Sequence, residues 1–95
     1  MAHARLGRYG GEEFIILLPM TNSEQAFSLA ERIRMAVAAL GVPSEKGNTT
    51  VTLSIGIVEK EWRSSSESVE DVFNRADEAM YTAKQAGRNC TIIGK

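Results

Sequence analysis

Apolar positions follow two rhythms along the chain. Phe27, Ala30, Ile33, Val37 and Leu40 recur at spacings of three and four, which predicts an amphipathic helix with one apolar stripe; Glu31, Arg32 and Arg34 fall largely off it. The helix should open at Thr21-Asn22-Ser23-Glu24, where a hydroxyl can cap the first turn and Glu24 can reach back, and stop at Gly41 and Pro43. Val51, Leu53, Ile55 and Ile57 then alternate with Thr50, Thr52, Ser54 and Gly56, predicting a half-buried strand whose second face is small and polar. From Ser68, the spacing of Val69, Val72, Phe73, Ala76, Met80 and Ala83 predicts a second helix with Gly87 as its C-terminal cap, and Thr91-Ile92-Ile93 reads as a last short strand. The apolar run Ile15 to Leu18, ended by Pro19, completes an order of β-hairpin, helix, strand, helix, strand. That order predicts an α+β or α/β layer with helices on one sheet face and the other face free to carry chemistry.

Composition narrows the setting. A chain of 95 residues holds at most one small domain, and its net charge of -1 gives no basic footprint for DNA, RNA or an anionic membrane. No apolar run approaches the ~20 residues that span a bilayer. The start does not resemble a signal peptide, and the single Cys90 cannot form an internal disulfide, so a reducing, cytoplasmic setting is expected. Ser64-Ser65-Ser66 is a loop, and no internal repeat is visible.

The chemistry-bearing stretch is Arg8-Tyr9-Gly10-Gly11-Glu12-Glu13-Phe14. Gly10 and Gly11 turn the chain and, lacking Cβ, let a bulky anion approach the backbone. Glu12 and Glu13 are adjacent, so on a strand they point to opposite faces and should have different jobs. One carboxylate is never a whole Mg²⁺ site, so a further acid would have to come from elsewhere. Taken alone, this stretch is better accounted for by an ordinary Gly-Gly hairpin with solvated acids blunting an edge strand. Ser54 and Gly56 indicate an uncovered or tightly packed face rather than a catalytic serine, since no histidine relay is visible, and His3, the sole histidine, is assigned no role. Lys84 and Arg88 could simply offset the negative end of the second helix.

Taken together, these motifs resemble the diguanylate cyclase, or GGDEF, family. Gly10 to Phe14 matches its signature hairpin Gly-Gly-(Asp/Glu)-Glu-Phe, preceded by the habitual Arg-Tyr at Arg8-Tyr9. Thr52 to Ile57 is similar to the family's strand, Arg75-Ala76-Asp77-Glu78-Ala79-Met80-Tyr81-Thr82-Ala83-Lys84 to its Arg-Ala-Asp helix, and Gly87-Arg88-Asn89 to that helix's end. The resemblance implies a palm-like sheet, related to nucleotide cyclases and polymerases, that condenses two GTP into cyclic di-GMP with release of pyrophosphate. It implies Glu12 and Glu13 as catalytic and metal-binding residues for Mg²⁺ (or Mn²⁺), with Glu12 helping to activate the 3′-hydroxyl. Gly10 and Gly11 would admit nucleotide. Lys84 and Arg88 would hold the terminal phosphates, their spacing of four putting both on one side of a helix end. Each domain of the family binds one GTP, so a homodimer is implied, joined in the parent protein to a sensory or receiver domain.

The resemblance covers the C-terminal portion of a domain of roughly 150 residues. The first sheet strand with its metal-binding Asp, the Phe-Lys segment after it and the guanine-reading Asn and Asp find no match before Arg8. Lacking that central strand, two neighbouring strands would expose unpaired backbone, which predicts strand-swapped dimerisation or poor solubility and a fragment inactive alone. The family's product site, an Arg-x-x-Asp, would fall on Met1 and Ala4, neither of which matches, while Arg32 falls near a further product-binding arginine. Two other functions stay open: a non-catalytic module binding GTP or cyclic di-GMP, and a purely structural, oligomerising α+β domain.

Overall fold

A computed structural model of the chain describes residues 5–8, 14–45, 47–60 and 66–95. Strands β1 (Arg5–Arg8) and β2 (Phe14–Leu17) pair antiparallel with Arg8 opposite Phe14. Helix α1 (Ser23–Ala39) follows, then β3 (Gly41–Ser44) and β4 (Gly47–Thr50), paired antiparallel. Strand β5 (Ser54–Ile57), helix α2 (Val69–Gln85) and strand β6 (Cys90–Ile93) close the order, with β5 and β6 parallel and α2 as their crossover. The α+β class is as expected. Among the described residues the three strand pairs stay separate, with no strand bridging β1–β2 to β5–β6.

Both helices are capped by side chains. At α1 the cap is Asn22 rather than a hydroxyl: its Oδ1 accepts from the Gln25 amide at 2.8 Å, and Gln25 Oε1 accepts from the Asn22 amide at 3.0 Å. Thr21 instead donates to the Pro19 carbonyl at 3.0 Å, and Glu24 is left without the capping role. At α2, Ser68 and Asp71 form the reciprocal pair. Helix α1 ends at Leu40, which is exposed rather than part of the buried stripe.

The strand expected from Thr50 to Ile57 is shorter. Thr50 belongs to β4, and only Ser54 to Ile57 pair with β6. Gly41 and Pro43, expected only to end the helix, begin an additional hairpin in which β4 is exposed throughout. Proline is tolerated there because, among the described residues, β3 has a single neighbour and need not donate on its other side.

The small face of β5 is a packing surface. A Cβ added to Gly56 would lie 2.4 Å from the Met80 amide nitrogen and 2.5 Å from the Ala76 carbonyl oxygen, so α2 rests directly on the strand backbone. Ala79 and Ala83, the most buried residues of α2, make this approach possible. Cys90 Sγ lies on the same side, 3.4 Å from the Ala83 carbonyl, whereas the next residue, Thr91, donates to Glu31 of α1 at 2.8 Å. Because successive strand residues alternate faces, α1 and α2 cover opposite faces of β5–β6, correcting the expectation of helices on one face. A parallel pair is normally covered on both sides, and Ile55 and Ile57 supply the apolar side chains for the α1 face. No described helix is long and apolar enough to cross a membrane.

Candidate functional site

Gly10, Gly11, Glu12 and Glu13, the expected nucleotide and metal residues of the hairpin, lie outside the described residues, as do Met1 and Ala4. Their flanks are described: Arg8 and Phe14 face each other as the last pair of the β1–β2 ladder, with residues 9–13 joining them in sequence.

The other half of the candidate site is well defined, and its backbone explains it. Helix α2 caps at Ala86; the Gly87 amide then donates to the Lys84 carbonyl at 3.4 Å and the Arg88 amide to the Ala83 carbonyl at 3.0 Å. This pair of bonds is a Schellman motif, and Gly87, at φ 113°, takes the position where a side chain would be strained. Arg88 (φ 64°) and Asn89 (φ 48°) continue in the left-handed region, so the chain reverses sharply before entering β6. Lys84 is half-buried in the last helical turn and Arg88 is exposed beyond it. Arg88 has left the helix, so its direction is set by this reversal and not by the helical spacing of four expected from the sequence.

These two cations differ from the chain's committed arginines. Arg75, in the Arg-Ala-Asp segment, grips Glu67 through Nε at 2.6 Å and Nη2 at 2.7 Å and also donates to the carbonyls of Lys95 and Glu59. It ties α2 to the segment after β5 and to the chain's last residue. Arg34 grips Glu31 in the same two-toothed way, at 2.6 and 2.8 Å. The guanidinium of Arg34, with help from the Thr91 hydroxyl, holds the Glu31 carboxyl well below the usual range, at about 2. Arg75 likewise lowers Glu67. By contrast, neither Lys84 nor Arg88 has a hydrogen-bond or ion-pair partner for its side chain among the described residues. Two positive charges beside the helix's negative end thus remain available to an anion. Arg32 is exposed on α1, beside a shallow groove lined by Leu29, Ile33, Met35 and Ala36.

The α+β chain thus combines a Gly-Gly-Glu-Glu stretch with two cations at a helix end that have no side-chain partner among the described residues. Comparison gives the family. The profile described as "Diguanylate cyclase, GGDEF domain" matches residues 2–90, and the chain belongs to that family. It is 45% identical over 82 residues to the diguanylate cyclase DgcM of Escherichia coli K12, covering 86% of this chain and 18% of that protein. Among solved structures, it is similar to the active GGEEF domain of a diguanylate cyclase from Vibrio cholerae, with a TM-score of 0.85 and 39% identity over 98% of this chain and 57% of that one. It is also similar to SiaD of Pseudomonas aeruginosa, solved in complex with its activator SiaC, with a TM-score of 0.87 and 35% identity over 99% of this chain and 35% of that one. The chain therefore spans only part of the relatives it matches.

A divalent cation fits the chemistry of the hairpin but not a complete site. Glu12 and Glu13 offer hard carboxylate oxygens of the kind Mg²⁺ takes, yet no group of three His, Cys, Asp or Glu side chains converges among the described residues. The remaining positions would fall to water and to the oxygens of a bound phosphate.

The sequence named the two cations but not the residues that hold their corner. Glu31, Arg34 and Asn89 form a connected set, with Arg34 Nη1 donating to Asn89 Oδ1 at 2.9 Å and to its carbonyl at 3.2 Å. The Glu31–Arg34 spacing of three was a usable signal for a pair, but nothing in the sequence placed Asn89 within its reach.

Proposed function

We propose that this chain is the C-terminal portion of a diguanylate cyclase domain, in which Lys84 and Arg88 hold the terminal phosphates of GTP and the Glu12–Glu13 hairpin holds Mg²⁺. The observation that carries the phosphate reading is that Lys84 and Arg88, unlike Arg75 and Arg34, have no side-chain partner among the described residues and sit together at the reversal after α2. A bound Mg²⁺ would supply charge neutralisation for the phosphates. The chain's own residues orient the triphosphate against the α2–β6 corner, and Gly10 and Gly11 leave room for it.

Condensing two GTP needs two such domains facing each other, each presenting one nucleotide, so the active form is a homodimer of the complete domain in a parent protein with a sensory or receiver partner. This chain alone is expected to bind GTP without turning it over. Unbridged strand pairs β1–β2 and β5–β6 support the view that a further strand, from the parent or a second copy, completes the sheet.

Calorimetric titration of GTP with Mg²⁺, alongside mass by light scattering on the same sample, tests this. The expected result is heat of binding that falls in Lys84→Ala and Arg88→Ala, with Mg²⁺ dependence lost in Glu12→Ala and no cyclic di-GMP formed. GTP binding unchanged by all three substitutions would refute the site, and turnover abolished by Glu12→Ala would refute the inactivity of the fragment.

A further inference from the structure

We infer that Arg34, held by Glu31, is a positioning residue that aims Arg88 by locking the backbone of the α2–β6 corner. This rests on the phosphate role proposed for Arg88 and adds the element that sets it.

Arg88 and Asn89 both adopt left-handed backbone, at φ 64° and 48°. Neither is glycine; asparagine enters this region more readily than most residues, but for Arg88 it is strained, so two such residues in a row are kept there by what surrounds them. For Arg88, part of the hold is local, through its amide bond to the Ala83 carbonyl at 3.0 Å. Asn89 is held from another element. A single Arg34 nitrogen, Nη1, donates to both its side-chain oxygen at 2.9 Å and its carbonyl at 3.2 Å.

The guanidinium that does this is itself fixed. Its other edge presents Nε and Nη2 to the two oxygens of Glu31, at 2.6 and 2.8 Å. Glu31 Oε2 in turn accepts from Thr91 Oγ1 at 2.8 Å, one strand residue beyond Cys90. The planar fork therefore spans α1, the reversal and β6, and Asn89 cannot rotate out of its conformation without breaking both bonds to Nη1. Arg34 makes no bond to the Arg88 side chain; it acts through the neighbouring residue.

A fourfold comparison tests the inference: wild type, Arg34→Ala, Arg88→Ala and the double variant, each titrated with GTP and Mg²⁺ and, separately, with inorganic tripolyphosphate. A positioning residue that works through Arg88 weakens binding on the order of tenfold when removed, and the same substitution costs little once Arg88 is already gone. A merely structural role would leave the two losses additive. Arg34→Lys retains the charge without the fork, so it should behave like Arg34→Ala. Helical circular dichroism identifies any unfolded variant, in which case Arg34→Lys carries the comparison.

Independently of any ligand, the strong intraresidue amide–Hα NOE that left-handed backbone gives at residues 88 and 89 should weaken in Arg34→Ala. NOEs that stay strong, or additive losses in the cycle, would overturn the clamp while leaving the phosphate site standing. If the wild-type chain takes up neither GTP nor tripolyphosphate, the phosphate reading fails and the clamp's purpose fails with it. If Lys84→Ala and Arg88→Ala weaken binding but Arg34→Ala does not, the clamp alone fails.

Discussion

Gly56→Ala is the most direct probe of how α2 is seated. Added at this position, a methyl would meet the Met80 amide nitrogen at 2.4 Å, the Ala76 carbonyl oxygen at 2.5 Å and the Ala79 carbonyl carbon at 2.9 Å. All three atoms are helix backbone, so no side chain can swing aside. Restoring ordinary contact at 3.4 Å requires α2 to retreat from β5 by about 1 Å, loosening Ala79 and Ala83 as well. Overpacking typically costs about 1–3 kcal/mol, and a rigid obstacle points to the upper end. Replacing glycine returns only about 0.4–1 kcal/mol by restricting the unfolded chain, so the loss wins.

Against the ~5–14 kcal/mol expected for a domain of this length, a net loss of about 2–2.6 kcal/mol is large. It should lower Tm by roughly 10–20 °C, read by thermal unfolding at 222 nm. Gly94→Ala is the internal control. Its added methyl meets Val58 Cγ1 at 2.9 Å and Ala79 Cβ at 3.1 Å, and the valine terminus can yield. A Gly56→Ala protein melting within about 2 °C of wild type, or less perturbed than Gly94→Ala, would refute the close seating of α2 on β5.

Three further outcomes are expected. Asn22→Ala and Ser68→Ala should each cost about 1 kcal/mol in denaturant unfolding, while Thr21→Ala should cost little, because Asn22 and not Thr21 caps α1. Arg75→Met should lower Tm more than Arg32→Met, since only Arg75 joins Glu67, Glu59 and Lys95; equal effects would show that those bonds do not anchor α2. Glu31 has a folded pKa of about 2 against an ordinary 4.5, so the unfolded chain binds the proton first as pH falls. Its contribution is complete above the unfolded value and is lost between there and about 2, so the Tm gap between wild type and Glu31→Gln should hold constant from neutral pH to about 5 and narrow below it.

What could be read from the sequence follows from which residues are buried. Both helices announced themselves because each places a stripe against β5–β6, and periodicity records such burial. The hairpin of β3 and β4 did not, because β4 is exposed along its length and exposed strands have no reason to alternate. Gly41 and Pro43 were read for the helix they end and not for the strand they begin. Ser54 and Gly56 were legible as a small face, yet whether that face was open or closely packed depended on α2, which pairing rules do not place. Helix sidedness failed for a similar reason: alternation in β6 separates Cys90 from Thr91, but only their partners, Ala83 and Glu31, show that each face has its own helix.

The candidate site divides along the same line. Lys84 and Arg88 were legible through the family motif, but the motif treats them as a helical pair, whereas Arg88 stands past the cap in left-handed backbone. Sequence distance then says little about where its charge points; the Gly87 reversal and the Arg34–Asn89 bonds decide it. The chain uses its arginines in two ways. Arg75 and Arg34 are consumed by carboxylates and carbonyls, whereas Lys84 and Arg88 have no side-chain partners among the described residues. A cation that must hold a phosphate gains from such a division, because a charge already paired inside the fold would have to break that pair before binding. The fold's cost falls on Gly56 and the alanines of α2, where an added atom pushes the helix, and with it the corner bearing Arg88, away from the sheet, and on Gly87, where there is space for a Cβ but the φ of 113° would strain it.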